Sequence, residues 1–348
     1  MSTTAPLIAG VNSLPRVLPG RDVGRPIRAA VLSNPDGGFN RRGSHMDQVR
    51  RAIGAFDVVH VEASSPAAIF RAAGKLAGDG IELLIVNGGD GTVQMVLTAL
   101  FAENRVDGPP LLALVPGGTS NTIPGDVGWA RRPVDGIRSV LTAARCGRLE
   151  GGVAQRPVLC VESSLWAHPM CAMQFSAGAT YGAIRFAKRE IEARGGRGRM
   201  GPAVTLAWFV ITMLRGRSGE IFPTMELAGS IDGRPLHGGT HLGILVSTLD
   251  HLFLGIRPFW GTGPGRVRFS ALAYPPRRLA LALLPLLRGR HGRFVTPENG
   301  FTSHNGEVLE VEIDAGFTLD GELFDAAPGT RLRITAPVTA SFLCTTRR

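Results

Sequence analysis

The stretch IELLIVNGGDGT, residues 81–92, decides the fold. A short apolar run leads directly into a glycine-rich turn, and the next residues, VQMVLTAL (93–100), have the apolar spacing of a helix. A strand, a glycine turn and a helix start form the arrangement that cradles phosphate, because backbone N–H groups approach closely and the helix dipole adds positive charge. The stretch therefore predicts a βα unit with an anion site at its turn.

Short apolar runs recur through the first part of the chain, and segments with helical spacing separate them. The runs begin at Arg28, Phe56, Ile81 and Pro109, and the helical segments are 45–55, 66–78 and 92–103. Buried strands that alternate with helices predict a parallel, doubly wound sheet. Ligands of such sheets bind outside the carboxyl ends of the strands, where two of these runs end in glycine turns.

Beyond about residue 150 the pattern changes to alternating segments broken by turns. Residues 224–239 and 308–336 are typical of antiparallel hairpins. Helical stretches interrupt them at 180–193, 203–215 and 277–288. We predict a loose leader over 1–26, an α/β domain over 27–150 and a β-rich domain over 151–331, with the two domains joined near 146–152.

Composition and charge narrow the class of protein. The 348 residues are 44% hydrophobic, as expected for about two soluble globular domains. Lys and Arg outnumber Asp and Glu by 38 to 28, and only Lys75 and Lys188 are lysines. This excess attracts nucleotides or anionic membranes, although a GC-rich genome produces the same arginine bias. The sequence has no nucleic-acid-reading motif, so we expect no nucleic-acid partner.

Cysteine spacing and hydropathy indicate a cytoplasmic protein. The four cysteines form neither a CxxC pair nor a zinc-type spacing. The N-terminus, MSTTAPLIAGVNSLPR, lacks the charged region and the long apolar region of a signal peptide. The longest nearly uncharged run, 200–214, is shorter than the ~18–20 residues of a spanning helix. We therefore expect a chain that does not cross a membrane.

A second glycine turn follows the next strand. PGGTSN, residues 116–121, comes directly after LLALV (111–115) and opens another helix. Two adjacent strands would thus end in glycine turns that flank one crevice, as a nucleotide site requires. The chain has no Walker A pattern, GxxxxGK[ST], so it is not a P-loop enzyme. The GxGxG string at 261–265 follows no clear strand and carries no prediction.

Asp90 lies within the first glycine turn. A carboxylate beside phosphates is explained if it holds Mg²⁺, directly or through water. The alternative is a tight βα turn in which Asp90 caps a helix. No packing role is apparent from the sequence, so we expect Asp90→Ala to abolish activity with little change in thermal stability.

These motifs resemble the diacylglycerol kinase catalytic family, which includes bacterial lipid kinases and sphingosine and ceramide kinases. GGDGT (88–92), followed by the PxGTxN-like motif at 116–121, is typical of that family. Asn34-Pro35, with Gly37-Gly38, matches its upstream element, and Asp320-Gly321-Glu322 matches its C-terminal element. The four motifs stand in the family's order and cover roughly residues 28–343.

The resemblance implies an ATP-dependent lipid kinase that uses Mg²⁺, with a nucleotide-binding α/β domain, an antiparallel β-sandwich for the lipid and a site between them. The last strand usually returns to the first domain, which would place 332–348 there. Glu322 would accept the proton of the lipid hydroxyl, and Asp320 would assist Glu322 or the metal. The nucleotide would contact Asn34, Ala63, Ser64, Gly88, Gly89, Asp90, Gly91, Thr92, Gly118, Thr119 and Asn121, with Asp90 at the metal.

The sequence departs from the family at two places. Many bacterial members bind a structural Mg²⁺ through an Asp-rich loop, whereas the matching residues 261–272 contain no acidic residue, so we expect this metal to be absent. Sphingosine kinases carry an Asp in the segment that here reads QFSAG (174–178). Its absence disfavours sphingosine, and diacylglycerol, ceramide or a monoacylglycerol stay open as acceptors.

The Asp-Gly-Glu motif also has a simpler explanation, since Asp320-Gly321 is typical of a hairpin turn. The chain contains a comparison in Asp232-Gly233, another Asp-Gly pair between apolar segments. Glu322 distinguishes the two Asp-Gly pairs, because it follows only the first. Glutamate has poor β propensity, so a glutamate at this strand position suggests a functional role.

Two basic stretches suggest contact with the inner face of the cytoplasmic membrane. Arginines and Lys188 within 187–199 precede the apolar run 201–214, and Arg277-Arg278 precede LALALLPLL (279–287). Further arginines, at 288, 290 and 293, follow the second run. Basic residues beside an apolar helix suit an anionic bilayer. A core helix with solvated basic ends is the alternative for each.

Two rival functions stay open. An NAD kinase shares GGDGT but would place Asn-Glu or Asn-Asp motifs in the middle of the chain. A catalytically inactive lipid-binding regulator would have lost Asp90 or Glu322, and both are present. The sequence determines neither the acceptor lipid nor the oligomeric state.

Overall fold

The computed structural model describes residues 25–102, 108–129, 131–149, 151–193, 204, 207–208, 210–212 and 223–345. Nearly all of the predicted leader, 1–26, lies outside these residues. So do most of the predicted helix 203–215 and the arginines of the first basic stretch from residue 194 to residue 199.

Parallel strands form the sheet of the first domain. They are β1 (Ala29–Ser33), β2 (Val59–Glu62), β3 (Leu83–Gly88) and β4 (Leu111–Pro116), in the spatial order β2-β1-β3-β4. The strands β1, β3 and β4 are buried along nearly their whole length. Helices cover both faces of the sheet, which explains why these strands are continuous apolar runs in the sequence.

The helices of the first domain lie on opposite faces of this sheet. On one face are α1 (His45–Ile53) and α5 (Pro133–Arg145), and on the other are α2 (Pro66–Gly78) and α3 (Asp90–Phe101). A short helix, α4 (Thr122–Asp126), follows β4. Local chemistry sets the start of α2, where the Ser65 hydroxyl accepts the Ala68 N–H (3.2 Å) and Pro66 occupies the first helical position. The predicted doubly wound α/β domain is confirmed.

Antiparallel strands dominate the rest of the chain. The strands are β5 (Gly152–Ser163), β6 (Met170–Ala172), β7 (Gln174–Gly178), β8 (Met225–Ile231), β9 (Arg234–Pro235), β10 (Gly239–Ser247), β11 (Val267–Ala273), β12 (Phe301–Gly306), β13 (Val308–Ile313), β14 (Phe317–Leu319), β15 (Glu322–Phe324) and β16 (Thr330–Cys344). Among the elements whose bounds the structure describes, the helices α6 (Ala179–Ala193) and α7 (Leu279–Leu287) accompany these strands. The predicted antiparallel, β-rich second domain is confirmed. In the part of the chain that the structure describes, no helix has the length and apolar character needed to cross a bilayer.

The long strand β16 connects the two sheets. Its first half pairs with β13, and its end runs parallel to β4, where Phe342 is opposite Leu112. The ladder between β16 and β5 is interrupted between Thr335 and Val338, at Pro337, because proline has no N–H to donate. Phe342 is fully buried in the core of the first domain. The last strand therefore contributes to both sheets.

Candidate active site

Three glycine-containing turns meet at the carboxyl ends of β1, β3 and β4. Backbone hydrogen bonds connect them, from Gly117 N–H to the Gly88 carbonyl (2.9 Å) and from Phe39 N–H to the Gly117 carbonyl (2.9 Å). The N–H of Asn34 donates to the Asn87 carbonyl (2.9 Å). The turns therefore line one crevice at the edge of the sheet where α/β folds bind ligands.

Close packing explains two of the glycines. A Cβ at Gly89 would lie 3.1 Å from the Cα of Gly118, so the turns after β3 and β4 touch through their backbones. A Cβ at Gly91 would lie 2.6 Å from Oε1 of Glu322. Glycine at residue 91 therefore leaves room for a carboxylate from the second domain.

Asparagine side chains hold the first turn against the second. Nδ2 of Asn34 donates to Oγ1 of Thr92 (3.0 Å). Nδ2 of Asn40 donates to the carbonyl oxygens of Asn34 (2.8 Å) and Asn87 (3.3 Å), and Asn40 is almost fully buried. No sequence pattern identifies Asn40, because a polar residue in a loop carries no signal that shows what it binds.

Asp90 is buried at the first turn of α3, but its carboxylate caps a different helix. Oδ2 accepts the Thr122 N–H (3.0 Å) and Oδ1 accepts the Ile123 N–H (3.1 Å), both at the start of α4. Burial raises the pKa of Asp90, and the two N–H groups oppose that shift. The expectation that Asp90 has no structural role is therefore wrong, since it joins the turn after β3 to the helix after β4.

The other end of α4 is held by ionic contacts of Asp126, whose side chain is fully buried. Nε of Arg156 lies 2.7 Å from Oδ2 of Asp126, and Nη2 of Arg156 lies 2.8 Å from Oδ2 of Asp250. The His251 N–H donates to Oδ1 of Asp126 (2.7 Å). Both ends of α4 are thus fixed by carboxylates, which positions the glycine turn that precedes it.

Asp320 occupies the turn between β14 and β15. Its φ is 48° and that of Gly321 is 85°, a pair of left-handed residues typical of a tight hairpin. The Asp320 carboxylate accepts the N–H groups of Met173 (3.1 Å) and Gln174 (2.9 Å). Burial raises the pKa of Asp320 well above its usual value, and the charges of Asp90 and Glu322 add to this. Asp320 and Asp90 are therefore close enough to repel each other.

Asp232 adopts the same conformation at the comparison turn. Its φ is 51° and that of Gly233 is 74°. Its Oδ1 accepts the N–H groups of Glu307 and Val308, both at 2.9 Å. Asp320-Gly321 and Asp232-Gly233 are therefore equivalent hairpin turns, and the residue that follows each turn makes the difference.

Glu322 follows the first of these turns and extends from β15 to the first domain. Its side chain is 53% exposed, and Oε1 is the atom that packs against Gly91. Oε2 lies 3.2 Å from Nζ of Lys188, a residue of α6. The structure thus brings together the GGDGT turn, Glu322 and one of the chain's two lysines. Lys188 belongs to the first basic stretch, for which the sequence suggests contact with a membrane.

The other predicted nucleotide residues lie around the same crevice. Ala63 N–H donates to the Ser33 carbonyl (3.0 Å) at the end of β2, and Ser64 beside it is exposed. Asn121, with φ of 50°, accepts the Gly118 N–H (2.9 Å), so its side chain shapes the turn. Thr119 is exposed next to that turn.

The acidic residues present suit a metal that arrives with a nucleotide. Among the described residues, no group of three or more His, Cys, Asp or Glu side chains could hold a metal ion. The charge of Asp90 adds to the burial that raises the pKa of Asp320, and a divalent cation beside the two carboxylates would relieve that repulsion. Mg²⁺ is usually bound by one or two carboxylates together with substrate phosphates. The donor set fits this arrangement.

Comparison with known proteins agrees with the motifs. Residues 28–147 match the model of the diacylglycerol kinase catalytic domain, so the resemblance is confirmed. A diacylglycerol kinase from Bacillus anthracis str. Sterne superposes with a TM-score of 0.58 at 14% identity, covering 92% of this chain and 98% of that one. A second diacylglycerol kinase-like structure from that organism gives 0.61 at 15% identity, covering 91% and 95%. These identities show a shared fold. No curated protein gives a significant sequence match.

Proposed function

We propose that this chain, which carries a diacylglycerol kinase catalytic domain over residues 28–147, is an ATP-dependent lipid kinase that phosphorylates a hydroxyl of diacylglycerol, ceramide or a related lipid. The contact of Glu322 with Gly91 carries the proposal. Phosphoryl transfer to an alcohol needs a proton acceptor beside the transferred group. The Glu322 carboxylate, which packs against the GGDGT turn, meets that need.

In this proposal the glycine turns bind the phosphates of ATP. The turns after β3 and β4 offer backbone N–H groups, and the N-terminus of α3 adds partial positive charge. Mg²⁺ bound with ATP would neutralise the phosphates, with Asp90 and Asp320 as the residues that would hold it. Glu322 would take the hydroxyl proton as the oxygen attacks the γ-phosphorus. The bond from that phosphorus to the β,γ-bridging oxygen breaks, and ADP leaves.

Lys188 supplies a cation at Glu322, in addition to Arg41 and Arg42 of the first glycine turn. None of the three turns contains a lysine, and Lys188 already lies on the proposed base. When ATP binds, the ammonium would move from Glu322 to the γ-phosphate. That movement would free the carboxylate to accept a proton.

We expect Lys188→Met to weaken ATP binding by about tenfold or more, since a hydrogen bond to a charged group contributes about 1.5–3 kcal/mol. Titration calorimetry with ATP and ADP measures this, and the loss should be larger for ATP. Lys75→Met is the matched control, because Lys75 is the other lysine and also forms an exposed ion pair, with Asp79 at 2.6 Å. Equal affinities for the two variants would remove Lys188 from the site.

A direct assay tests the function. Purified protein would receive labelled ATP, Mg²⁺ and a panel of lipids in mixed micelles, with NAD⁺ as a further acceptor. A labelled lipid phosphate supports the proposal and identifies the acceptor. Labelled NADP⁺ would instead indicate an NAD kinase. No transfer to any acceptor would contradict a kinase function and favour an inactive lipid-binding regulator.

The acceptor lies in a membrane, so we also propose peripheral contact with the anionic inner face of the cytoplasmic membrane through α7. Leu281 and Leu284 are 57% and 56% exposed on this helix, and Leu254 is 65% exposed. The loop of Leu254 is bonded to the end of α7 through Arg257 N–H and the Leu287 carbonyl (2.9 Å). Residues 251–297 contain eight arginines and no acidic residue, as an anionic surface requires.

Vesicle binding should therefore depend on both charge and α7. We expect sedimentation with phosphatidylglycerol-containing vesicles to fall as salt rises, because exposed charges are screened. Leu281→Asp should reduce binding at every salt concentration. Val59→Asp, a change at a similarly exposed residue of β2, is the control. If the bound fraction changed with none of salt, lipid charge or Leu281→Asp, contact through α7 would be contradicted.

A further inference from the structure

An apolar groove lies between α2, α3 and the loop that connects β5 to β6. We call it the α3 groove. Its volume is about 480 Å³, and its walls include Pro66, Phe70, Met95, Trp166, Pro169 and Met170. Cavities of this size and composition are typical of sites for small apolar ligands.

One face of α3 connects the groove with the candidate active site. Gly91, Met95, Thr98 and Ala102 are spaced by four, three and four residues, so they lie in one row along the helix. Glu322 packs on Gly91, and the other three residues line the groove. At 1.5 Å per residue, the groove extends from roughly 6 to 16 Å beyond Gly91 along the helix axis.

Trp166 makes the same connection from the second domain. Its ring meets Phe317 of β14 and Phe324 of β15 edge-on, with centroids 5.8 and 5.2 Å apart. Side chains two residues apart point to the same face of a strand, so Phe324 and Glu322 share one face of β15. The wall of the groove is therefore continuous with the strand that carries Glu322.

The groove offers a ligand mainly apolar contact, and its polar lining residues are Thr98 and the exposed His168. Thr98 is a polar residue in its wall, yet its hydroxyl donates to the Gln94 carbonyl (2.8 Å) and accepts the Cys171 N–H (3.1 Å). A hydroxyl used in this way is not available to a ligand. Such a surface selects by shape and length, as a site for a hydrocarbon chain does.

We propose that the α3 groove binds a hydrocarbon chain of the lipid acceptor while Glu322 faces the hydroxyl of the same molecule. This inference rests on the proposed function and adds the place where the lipid chain lies. The chain would run along α3 from Gly91 towards Ala102, so that its length decides how much of the groove it fills.

Fluorescence quenching tests the site without any need for phosphoryl transfer. The chain has four tryptophans, and only Trp166 lines the described groove. Diacylglycerol brominated on its acyl chain, presented in mixed micelles, should quench the wild-type protein, and Trp166→Phe should lose most of that quenching. Trp129→Phe, which removes a buried ring from the opposite side of the sheet, should retain it. Equal quenching in Trp166→Phe and wild type would overturn the proposal.

Chain-length dependence tests the same groove through kinetics. Each buried methylene is worth about fourfold in affinity, about 0.8 kcal/mol, so kcat/KM should rise from dioctanoylglycerol to longer acceptors. Ala67→Trp fills the groove from an exposed position of α2 and should remove most of that rise. Val59→Trp, on β2, is the control.

The two proposals fail in different ways. If Trp166 were quenched but no lipid were phosphorylated, the groove would still be a lipid site and the kinase function would be contradicted. If the rate of transfer depended neither on chain length nor on Ala67→Trp, the kinase function would be supported and the groove would not be the lipid site. A groove already covered by a second copy would show no quenching at Trp166, which also rejects it.

Discussion

Glu322→Gln should lower kcat by about 10²–10⁴ at saturating ATP and lipid, the usual range for loss of a general base. Glutamine keeps the shape of the side chain and the contact with Gly91 but cannot accept a proton. ATP binding should survive, because the turns proposed to bind its phosphates lie in the first domain. Steady-state kinetics with calorimetry separates the two quantities, and a large loss of ATP affinity would indicate a metal ligand instead.

Glu162→Gln is a matched control for this substitution. Glu162 is another exposed strand glutamate in an ion pair, with Arg333 at 3.1 Å. Both variants lose one charge and one surface ion pair, which contributes only about 0–1 kcal/mol to stability. The control should keep kcat near the wild-type value. If both variants had the same kcat, Asp320-Gly321-Glu322 would be a hairpin and nothing more.

Asp90→Ala should lose both activity and stability. Removing the carboxylate leaves the N–H groups of Thr122 and Ile123 without their acceptor, and a buried unsatisfied group costs about 1–3 kcal/mol. For a domain of this size that corresponds to a fall in Tm of roughly 2–10 °C. The turn would also lose its candidate metal ligand, and kcat should fall by about 10²-fold or more.

A second carboxylate separates the two effects. Asp232 also accepts two backbone N–H groups, at a hairpin outside the candidate site. Asp232 is exposed, so water can satisfy these N–H groups after Asp232→Ala. Asp232→Ala should therefore lower the Tm by less than Asp90→Ala does and leave kcat unchanged. Asp90→Asn should keep part of the capping and still lose activity, because the charge is gone. Full activity in Asp90→Asn would contradict a metal role for Asp90.

The sequence alone predicted the elements that depend on local chemistry. The continuous apolar runs at β1, β3 and β4 identify strands covered on both faces, and the glycine turns that follow them identify a crevice at one sheet edge. The conformation at Asp320-Gly321 and Asp232-Gly233 is also local, since both residues of such a turn need positive φ.

Only the tertiary structure decided what these elements touch. Asp90 caps α4 rather than α3, Lys188 pairs with Glu322 rather than lying apart in a basic stretch, and Trp166 connects an apolar groove to β15. Each contact joins residues far apart in the chain, so none leaves a period or a spacing in the sequence. The amino-acid order sets which turns and strands form, and the packing of one domain on the other sets which carboxylate meets which N–H group or cation.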